Sequence, residues 1–566
     1  MSEDNILASS DEYPLSRRRY LAVASALGGS ALAGCTGGAD SDSTPTGTND
    51  GGDGSNTDTS TTSVGDPKSG GSLTTTLSSP LKTLDPAFYS IDETTAVLNH
   101  VFDKLFSLNR NLELVGNLAT GLSFSEDGLT WTMDIREGVM FHPPVSRELT
   151  AEDVVYTFDR ITDPDTGARI QDLISSNFES WSAPDDYTFE ITLPERLAST
   201  QAYLQTGGME ITPPEPIEEN GDMKNHPVGT GPFKFEEWKT RNYVRLSKFE
   251  DYWKDDQPYL DEIRFRPLSE ASVRITELEK GNVHLLRNTP KTHVDQLKNS
   301  NSITTVEATT SSWKGMHLNT TTSPTESRAS ELPTTRRKVR QAVAWAVDQN
   351  AIVAAAESGY AAPSQNWYAE GTKWYSGYNP YGLSADPEKA KELIAQTDLE
   401  APVKIIILST TDVAELEQMG KVVQANLAEA GFDPELKEVP INTWLDHYFG
   451  RKFDIILNLG PFYADPDLLF STFISKAKEQ NVHHYYDGEE VNADRFYELY
   501  EQGKRVLDEE KRKEIYDEAQ KILLDDALWQ ITYNPVKIQS YRSSVRGFKI
   551  HPVTSEFSLE SVWLDE

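Results

Sequence analysis

The sequence predicts an α/β fold that is divided into two lobes. The chain has 566 residues, which is too long for a single hydrophobic core and calls for two or three units. Hydrophobic residues make up 37% of the chain and aromatic residues 10%, which is sufficient for ordinary globular packing. Strand and helix patterns alternate in β-α-β-α-β order within residues 403–459, which indicates a parallel sheet with helices on its faces.

The first predicted elements are strands and one well-capped helix. Ordered structure is expected to begin near Gly71, and alternating apolar residues predict strands at 72–77, 129–135 and 187–193. Thr150 precedes a helical pattern, and Asp153 lies three residues after Thr150, which is typical of a capping box. The glycine turn at 227–233 leads into a further strand. It lacks the later glycine and lysine of a phosphate-binding loop, so we exclude a nucleotide site there.

From about residue 311 onward, strands alternate with helices. The predicted order is a strand at 313–318, a helix or helix pair at 336–357, a helix from Asp386-Pro387, a strand at 403–408, a helix at 412–430, a strand near 434–439, a short helix from Asn442 and a strand at 453–459. Ligands of open parallel sheets lie beyond the carboxyl ends of the strands. The loops at 409–411 and 460–465 are therefore candidate ligand loops. The alternative is that their residues only fill the interface between the lobes.

Charge and cysteine content exclude several classes of protein. The chain has 89 acidic and 53 basic residues and a net charge of −36, which would repel the phosphates of nucleic acid. The acids are spread along the whole chain, so we interpret the surplus as adaptation to high salt, with a merely acidic protein as the alternative. The single cysteine, Cys35, excludes an intramolecular disulfide and a zinc site built on several thiolates.

The N-terminus has the pattern of an export signal. Arg17 and Arg18 precede a short, mildly apolar run at 21–34, which is typical of a secretory signal and resembles the twin-arginine type. The run ends in Leu-Ala-Gly followed by Cys35, which resembles a lipobox. We therefore predict that residues 1–34 are a removed signal and that lipid is attached to Cys35; an ordinary cleavage site is the alternative. Residues 35–69 are rich in Thr, Ser, Gly and Asp and predict a disordered tether.

Five motifs occur in a fixed order along the rest of the chain. The longest, from Leu118 to Asp159, contains an Arg-x-Gly-Val-x-Phe-His turn at 136–142. The other four are Leu84-Asp85-Pro86, the glycine turn at 228–233, Leu318-Asn319 followed by 339–342, and Ala464-Asp465-Pro466. Together they resemble the extracellular solute-binding proteins of family 5, the peptide, oligopeptide and nickel binders of ABC importers. Pro143-Pro144 departs from that pattern, since the family usually has Asp/Asn-Gly there.

The resemblance implies a periplasmic-binding-protein type II fold, which is a bilobal clamp with an extra subdomain in the first lobe. The chain would cross between the lobes near 308–314 and 528–534. The first lobe is then 70–310 plus 530–566, with the subdomain at about 95–220, and the second lobe is 311–529. Hinge closure would enclose a ligand, and an ABC permease with its ATPase would receive it. We expect a monomer without catalytic activity, cofactor or metal, held by lipid on the extracellular face of the membrane.

Aromatic side chains and one carboxylate in the predicted loops and turns are the candidate ligand residues. Tyr89, Trp367, Phe462, Tyr463 and Asp465 are expected to reach the cleft. The alternative for Trp367 is a place in the core of the second lobe, and the alternative for Asp465 is a structural Asp-Pro turn. Peptide binders of the family anchor the ligand's amino group through an aspartate in the loop that matches 460–466, and no acid occupies that position here. The ligand therefore stays open among peptides, sugars, metal chelates and other small organic molecules.

Other functions and sites remain as alternatives. A surface receptor without transport and an extracellular hydrolase are the competing classes, although HExxH, Gly-x-Ser-x-Gly and a Walker lysine are absent from the sequence. His483-His484 is interpreted as polar surface, because neighbouring side chains on a strand point to opposite faces. Asn319 begins a glycosylation sequon at a predicted strand end.

Overall fold

The computed structural model describes residues 66–89, 91–321, 332–476, 485–486, 488 and 490–565. Arg17, Arg18, Cys35, nearly all of the predicted tether and His483-His484 lie outside these residues. Within them, no helix combines the length and the apolar character needed to cross a bilayer.

Most strands belong to one large mixed sheet. Its strands follow in the order Phe432–Val439, Val403–Thr410, Ile455–Gly460, Trp313–Leu318, Trp529–Arg542, Leu285–Leu286, Ser72–Leu77, Glu262–Pro267, Tyr243–Lys248 and Phe233–Lys239. Strands Ile303–Thr309 and Ala361–Pro363 also pair with Trp529–Arg542. That long strand connects the two halves of the sheet. Its first residues pair with 313–318 and its last residues pair with 303–309.

The β-α-β-α-β segment forms the predicted parallel strands. Val403–Thr410 runs parallel to both Phe432–Val439 and Ile455–Gly460. The ladder continues to Thr410, which pairs with Val439, so Ser409 and Thr410 are buried strand residues and not the loop predicted at 409–411. The sheet as a whole is mixed, because Trp313–Leu318 lies antiparallel to both of its neighbours.

Helices and small sheets complete the fold. The α-helices are Ile91–Val101, Ala151–Thr162, Gln171–Ser175, Thr200–Gln205, Glu215–Asn220, Ala271–Lys280, Val294–Lys298, Arg337–Ala346, Gln349–Glu357, Pro387–Ile394, Ala414–Glu429, Ile441–Phe449, Pro466–Phe473, Ala493–Arg505 and Glu509–Asp526. Pro86–Phe88, Lys291–His293 and Pro333–Thr335 are short 3₁₀ helices. A separate antiparallel sheet has the order Ala119–Phe124, Thr130–Ile135, Thr188–Thr192 and Ser180–Asp185. Two short antiparallel pairs join Phe106–Leu108 with Leu114–Gly116 and Val545–Arg546 with Trp563–Leu564.

The helix starts follow the predicted capping residues. The backbone N–H of Thr150 donates to the Asp153 carboxylate at 2.9 Å, which closes the first turn of Ala151–Thr162. Asp386 accepts the backbone N–H of Lys389 at 2.9 Å. The segment 336–357 is a helix pair, and Asp348 caps the second helix by accepting the backbone N–H of Ala351 at 2.8 Å.

Two hydrophobic clusters matter for the site. The small-sheet core is built around Trp131, Phe158 and Phe189 and covers the separate sheet. The aromatic core is built around Phe470 and Trp529 and lies beside the second half of the large sheet. Burial of such rings from water stabilises each cluster.

Asn319 lies inside the fold. Its side chain is fully buried, and its amide nitrogen donates to the carbonyl oxygens of Arg451 and Phe453 at 3.0 and 3.2 Å. The sequon nitrogen is therefore inaccessible in the folded chain.

Candidate ligand site

The Leu84-Asp85-Pro86 motif fixes the position of Tyr89. Asp85 is fully buried, and its two carboxylate oxygens accept hydrogen bonds from Arg160 at 3.0 and 2.6 Å. The same carboxylate accepts the backbone N–H groups of Ala87 and Met223. These bonds hold the 3₁₀ turn Pro86–Phe88, after which Tyr89 projects. The buried aspartate is therefore a positioning residue for the tyrosine.

The ring of Tyr89 lies close to a guanidinium group and to two glycines. Arg169 is centred 4.6 Å from the ring and also donates to the Tyr89 carbonyl oxygen at 3.0 Å. A Cβ atom at Gly207 would lie 2.8 Å from the ring, so a side chain there would displace Tyr89. Among the described residues Arg169 forms no ion pair with a carboxylate. Its remaining N–H groups are available to an anion.

The loop after strand Ile455–Gly460 approaches Tyr89. Tyr463 packs against both the small-sheet core, which Tyr89 also contacts, and the aromatic core. Burial raises the pKa of Tyr463 to about 12, and Tyr89 and Arg169 are close enough to act on its ionisation in opposite directions. Phe462 meets the ring of Tyr368 edge to face, with centroids 6.3 Å apart. Tyr89 and Tyr463 are thus brought together, with Phe462 beside them.

Asp465 and Trp367 occupy different surroundings. Asp465 begins the helix Pro466–Phe473 and accepts the backbone N–H of Asp467 at 2.9 Å. Its two oxygens each lie 2.8 Å from an Arg512 guanidinium nitrogen. Trp367 is 1% exposed and lies in the aromatic core, edge-on to Trp529. Neither side chain lies in the group formed by Tyr89 and Tyr463.

Charged residues that the sequence analysis did not select lie near Tyr89. Lys104 Nζ is 3.7 Å from Glu556 Oε1, and Glu210 accepts the backbone N–H of Gly208 at 2.8 Å. Burial lowers the pKa of Lys104, but the charges of Glu556 and Glu210 outweigh it and raise that pKa overall. Burial raises the pKa of Glu210. These residues are far apart in the sequence, and the Gly207-Gly208 pair beside Glu210 is the one sequence feature that could have drawn attention to them.

Two further features lie apart from this group. A cavity in the second half of the chain is lined by residues that include Gln349, Gln365 and Gln530, and none of the candidate ligand residues lines it. The candidate ligand site is instead the place where Tyr89, Arg169 and Tyr463 meet, because aromatic rings and a guanidinium are groups that can bind a solute. The part of the chain that the structure describes contains no cluster of three or more His, Cys, Asp or Glu side chains that could hold a metal ion.

The architecture defines a class of protein. A mixed sheet whose halves share one long strand, with aromatic side chains meeting between its flanking clusters, is the periplasmic-binding-protein type II fold. The chain belongs to the bacterial extracellular solute-binding proteins, family 5, whose "Middle" family model matches residues 113–481. It is a substrate-binding protein of the ABC-transporter type and not an enzyme.

Similar proteins cover almost the whole folded part. The glutathione-binding protein GsiB of Salmonella paratyphi A is 24% identical over 499 residues, which are 84% of this chain and 91% of that protein. The periplasmic binding protein DppA from Helicobacter pylori, solved with the peptide STSA, is 25% identical with a TM-score of 0.71 and covers 88% of this chain and 99% of its own. HbpA2 from Haemophilus parasuis is 23% identical with a TM-score of 0.78 and covers 88% and 100%.

Proposed function

We propose that the protein captures a small organic solute between two lobes and delivers it to an ABC permease and its ATPase. The first lobe comprises 70–310 with 530–566 and contains the subdomain at about 95–220. The second lobe comprises 311–529. Tyr89 and Arg169 form one wall of the cleft, and Phe462 and Tyr463 form the other. Trp367 supports the second wall from the core behind it, and Asp465 holds the start of the helix that follows Tyr463.

One observation carries this proposal. Tyr463 of the second lobe packs on the same cluster as Tyr89 of the first lobe, beside a guanidinium that has no carboxylate partner among the described residues. Aromatic rings bind the apolar part of a solute, and arginine binds a carboxylate through two parallel hydrogen bonds. A solute that carries a carboxylate therefore fits best. Glutathione and peptides, which two similar proteins bind, both carry one.

The test begins with protein purified in high salt. Native mass spectrometry should show a co-purifying solute. In a thermal-shift panel of peptides, sugars and metal chelates, compounds of the class that the protein binds should raise its melting temperature. Arg169→Ala should weaken binding of a carboxylate solute by about tenfold to a hundredfold, since one charge-assisted contact is lost. Arg110, which is exposed, provides the control substitution Arg110→Ala. If no solute of any class binds, the proposal is wrong.

We further propose that a twin-arginine signal containing Arg17 and Arg18 exports the chain and that lipid on Cys35 holds it on the extracellular face of the membrane. The position of the one cysteine supports this, since it directly follows an export-type apolar run. A linker of the length and composition of residues 35–69 would span about 30 Å on a root-mean-square basis. The lobes could then sample external fluid near the permease.

Replacing Cys35 with serine is expected to move the protein from the membrane to the medium. The two acyl chains of a diacylglyceryl group on the thiol would supply the membrane affinity, and the substitution removes the sulfur atom to which that group is attached. Fractionation followed by immunoblotting measures this, with Thr36→Ser as the matched control. A Cys35→Ser protein that stays in the membrane fraction would contradict the anchor.

We also propose that the protein is a monomer adapted to high salt. Its charge of −36 is repulsive in dilute buffer and is screened when ions are plentiful. The melting temperature is therefore expected to rise steeply from millimolar to molar KCl, and light scattering in molar KCl should give the mass of one chain. A melting temperature that is independent of salt would exclude the adaptation.

A further inference from the structure

Segment 195–203 of the proposed first lobe contacts two helices of the proposed second lobe. The backbone N–H of Ala198 donates to the carbonyl oxygen of Lys504 at 2.7 Å. Leu468 of the second lobe packs into the small-sheet core of the first. The chain itself joins the proposed lobes at two crossings, and none of these residues belongs to either crossing. The contacts are therefore non-covalent links between the lobes, and they must break when the lobes separate.

The buried centre of this contact is a carboxylate that accepts hydroxyl groups from the other lobe. Asp467 lies in the first turn of helix Pro466–Phe473 and is fully buried. Its Oδ2 accepts the hydroxyl of Ser199 at 2.7 Å and the hydroxyl of Tyr203 at 3.0 Å. Ser199 and Tyr203 are 2% and 1% exposed. Three polar side chains from two lobes are thus enclosed together and bonded to one another.

Further groups that act on the charge of Asp467 belong to its own lobe. Tyr500 and Lys504 favour the charged carboxylate, and Asp465 opposes it. The charge of Asp465 is in turn paired with Arg512. Within the described residues, the hydrogen bonds that reach Asp467 across the lobe boundary are therefore those from the two hydroxyls.

Removal of one hydroxyl has different consequences in the two arrangements of the lobes. When the lobes are together, the buried carboxylate loses a donor, and a buried charged group that is short of donors is costly. When the lobes are apart, water can solvate Asp467 whether or not the other lobe carries that hydroxyl. Loss of either hydroxyl therefore favours separated lobes.

The rim of the same contact is built differently. Glu195 of the first lobe lies 2.7 Å from a guanidinium nitrogen of Arg505, and the two side chains are 48% and 47% exposed. Water and salt screen such a pair, which is worth little. The enclosed hydroxyl–carboxylate bonds, and not the rim ion pair, are expected to carry most of the polar attraction between the lobes.

We propose that Asp467, Ser199 and Tyr203 form a latch that holds the two lobes together whether or not a solute is bound. Their hydrogen bonds are made to one another, so the latch requires no group from the solute. This inference rests on the proposed function, since the latch sets how readily the clamp closes. A weaker latch lowers the closed fraction and thereby weakens the apparent affinity for every solute by the same factor.

Pulsed electron paramagnetic resonance on solute-free protein tests the latch. Spin labels on cysteines introduced at the exposed positions Asp165 and Glu370, in a Cys35→Ser background, report the distance between the proposed lobes. Native mass spectrometry confirms beforehand that no solute is bound. Tyr203→Phe is expected to lower the ratio of closed to open protein by about tenfold or more. The shift should be equal at the lowest KCl concentration that keeps the protein folded and in molar KCl, because the bonds are buried.

Three further variants are matched to this one. Ser199→Ala removes the other hydroxyl with little change in packing and should shift the distances in the same direction, so the test stays decisive if Tyr203→Phe does not fold. Tyr156→Phe removes a half-buried hydroxyl elsewhere in the subdomain and should leave the distances unchanged. Glu195→Gln should change the ratio by less than about threefold, and this effect should vanish in molar KCl.

Distances that neither Tyr203→Phe nor Ser199→Ala changes would overturn the latch, as would an equal shift in Tyr156→Phe. Calorimetry with each compound of the thermal-shift panel that binds gives a second readout, in which Tyr203→Phe should raise every Kd by one common factor. A loss confined to one class of solute would overturn the latch and assign Tyr203 to solute recognition. If no compound binds, the proposed function is wrong, whereas the distances in the solute-free protein still decide on the latch.

Discussion

Asp465→Asn is expected to lower the free energy of unfolding by about 3–5 kcal/mol, because it leaves a buried guanidinium without its counter-charge. Arg512 and Asp465 are each 5% exposed at the side chain and are joined by two hydrogen bonds of 2.8 Å. The guanidinium is also enclosed by the rings of Trp374 and Tyr516, at 5.3 and 5.2 Å from their centroids. Water therefore cannot replace the lost carboxylate charge. Equilibrium denaturation by urea measures the loss.

An exposed ion pair provides the matched control. Lys389 and Glu392 are 45% and 64% exposed at the side chain and lie one turn apart on a helix. Glu392→Gln should change the free energy of unfolding by less than about 0.5 kcal/mol. If Asp465→Asn also cost less than about 1 kcal/mol, the pair would not hold the start of the helix after Tyr463 as described.

Acid is expected to destabilise the protein through two buried histidines. His100 Nδ1–H donates to the Ala96 carbonyl oxygen at 2.8 Å, and its Nε2 accepts the backbone N–H of Leu559 at 3.1 Å, so the ring must be neutral. His142 Nε2 lies 2.8 Å from the Gly231 carbonyl oxygen. Burial lowers the pKa of each ring from 6.5 to about 4. Both rings therefore resist protonation in the folded state.

The direction of the pH dependence follows from these values. In the unfolded chain the rings take up protons near pH 6.5, so the stabilisation is complete above that pH and is lost as the pH falls toward about 4. At pH 4.5 the lowered pKa of each histidine should have reduced the free energy of unfolding by about 2–3 kcal/mol relative to neutral pH. Urea denaturation between pH 7 and 4.5 measures the slope, and His100→Gln, which keeps a donor and an acceptor, should flatten it. A slope that is unchanged in that variant would contradict this account.

Local patterns predicted the elements well. Thr150 with Asp153 and Asp386 with Pro387 mark helix starts because capping depends on neighbours in the sequence. The apolar run at 403–408 likewise identified a strand covered on both faces, and its β-α-β-α-β context identified parallel partners. Strand length was less predictable. Pairing with the neighbouring strand carried the ladder through Ser409 and Thr410, which the sequence analysis placed in a loop.

The site was only partly predictable. Tyr89, Phe462 and Tyr463 follow recognisable motifs, so their candidacy could be read from the chain. Arg169, Glu210 and Glu556 reach their positions near Tyr89 through contacts between distant segments. No local pattern marks the arginine, and none distinguishes the two glutamates in a chain with 89 acidic residues. Trp367 shows the same limit, because an aromatic residue in a turn-rich segment is equally compatible with a cleft and with the core that it occupies.

The distance between the two proposed lobes, measured with and without solute, tests solute capture most directly. Spin labels on cysteines introduced at the exposed positions Asp165 and Glu370, in a Cys35→Ser background, report that distance by pulsed electron paramagnetic resonance. Addition of the co-purifying solute is expected to shift the population toward one narrow distance distribution, as closure around a ligand requires. A distribution that the bound solute leaves unchanged would contradict capture by closure of the two lobes.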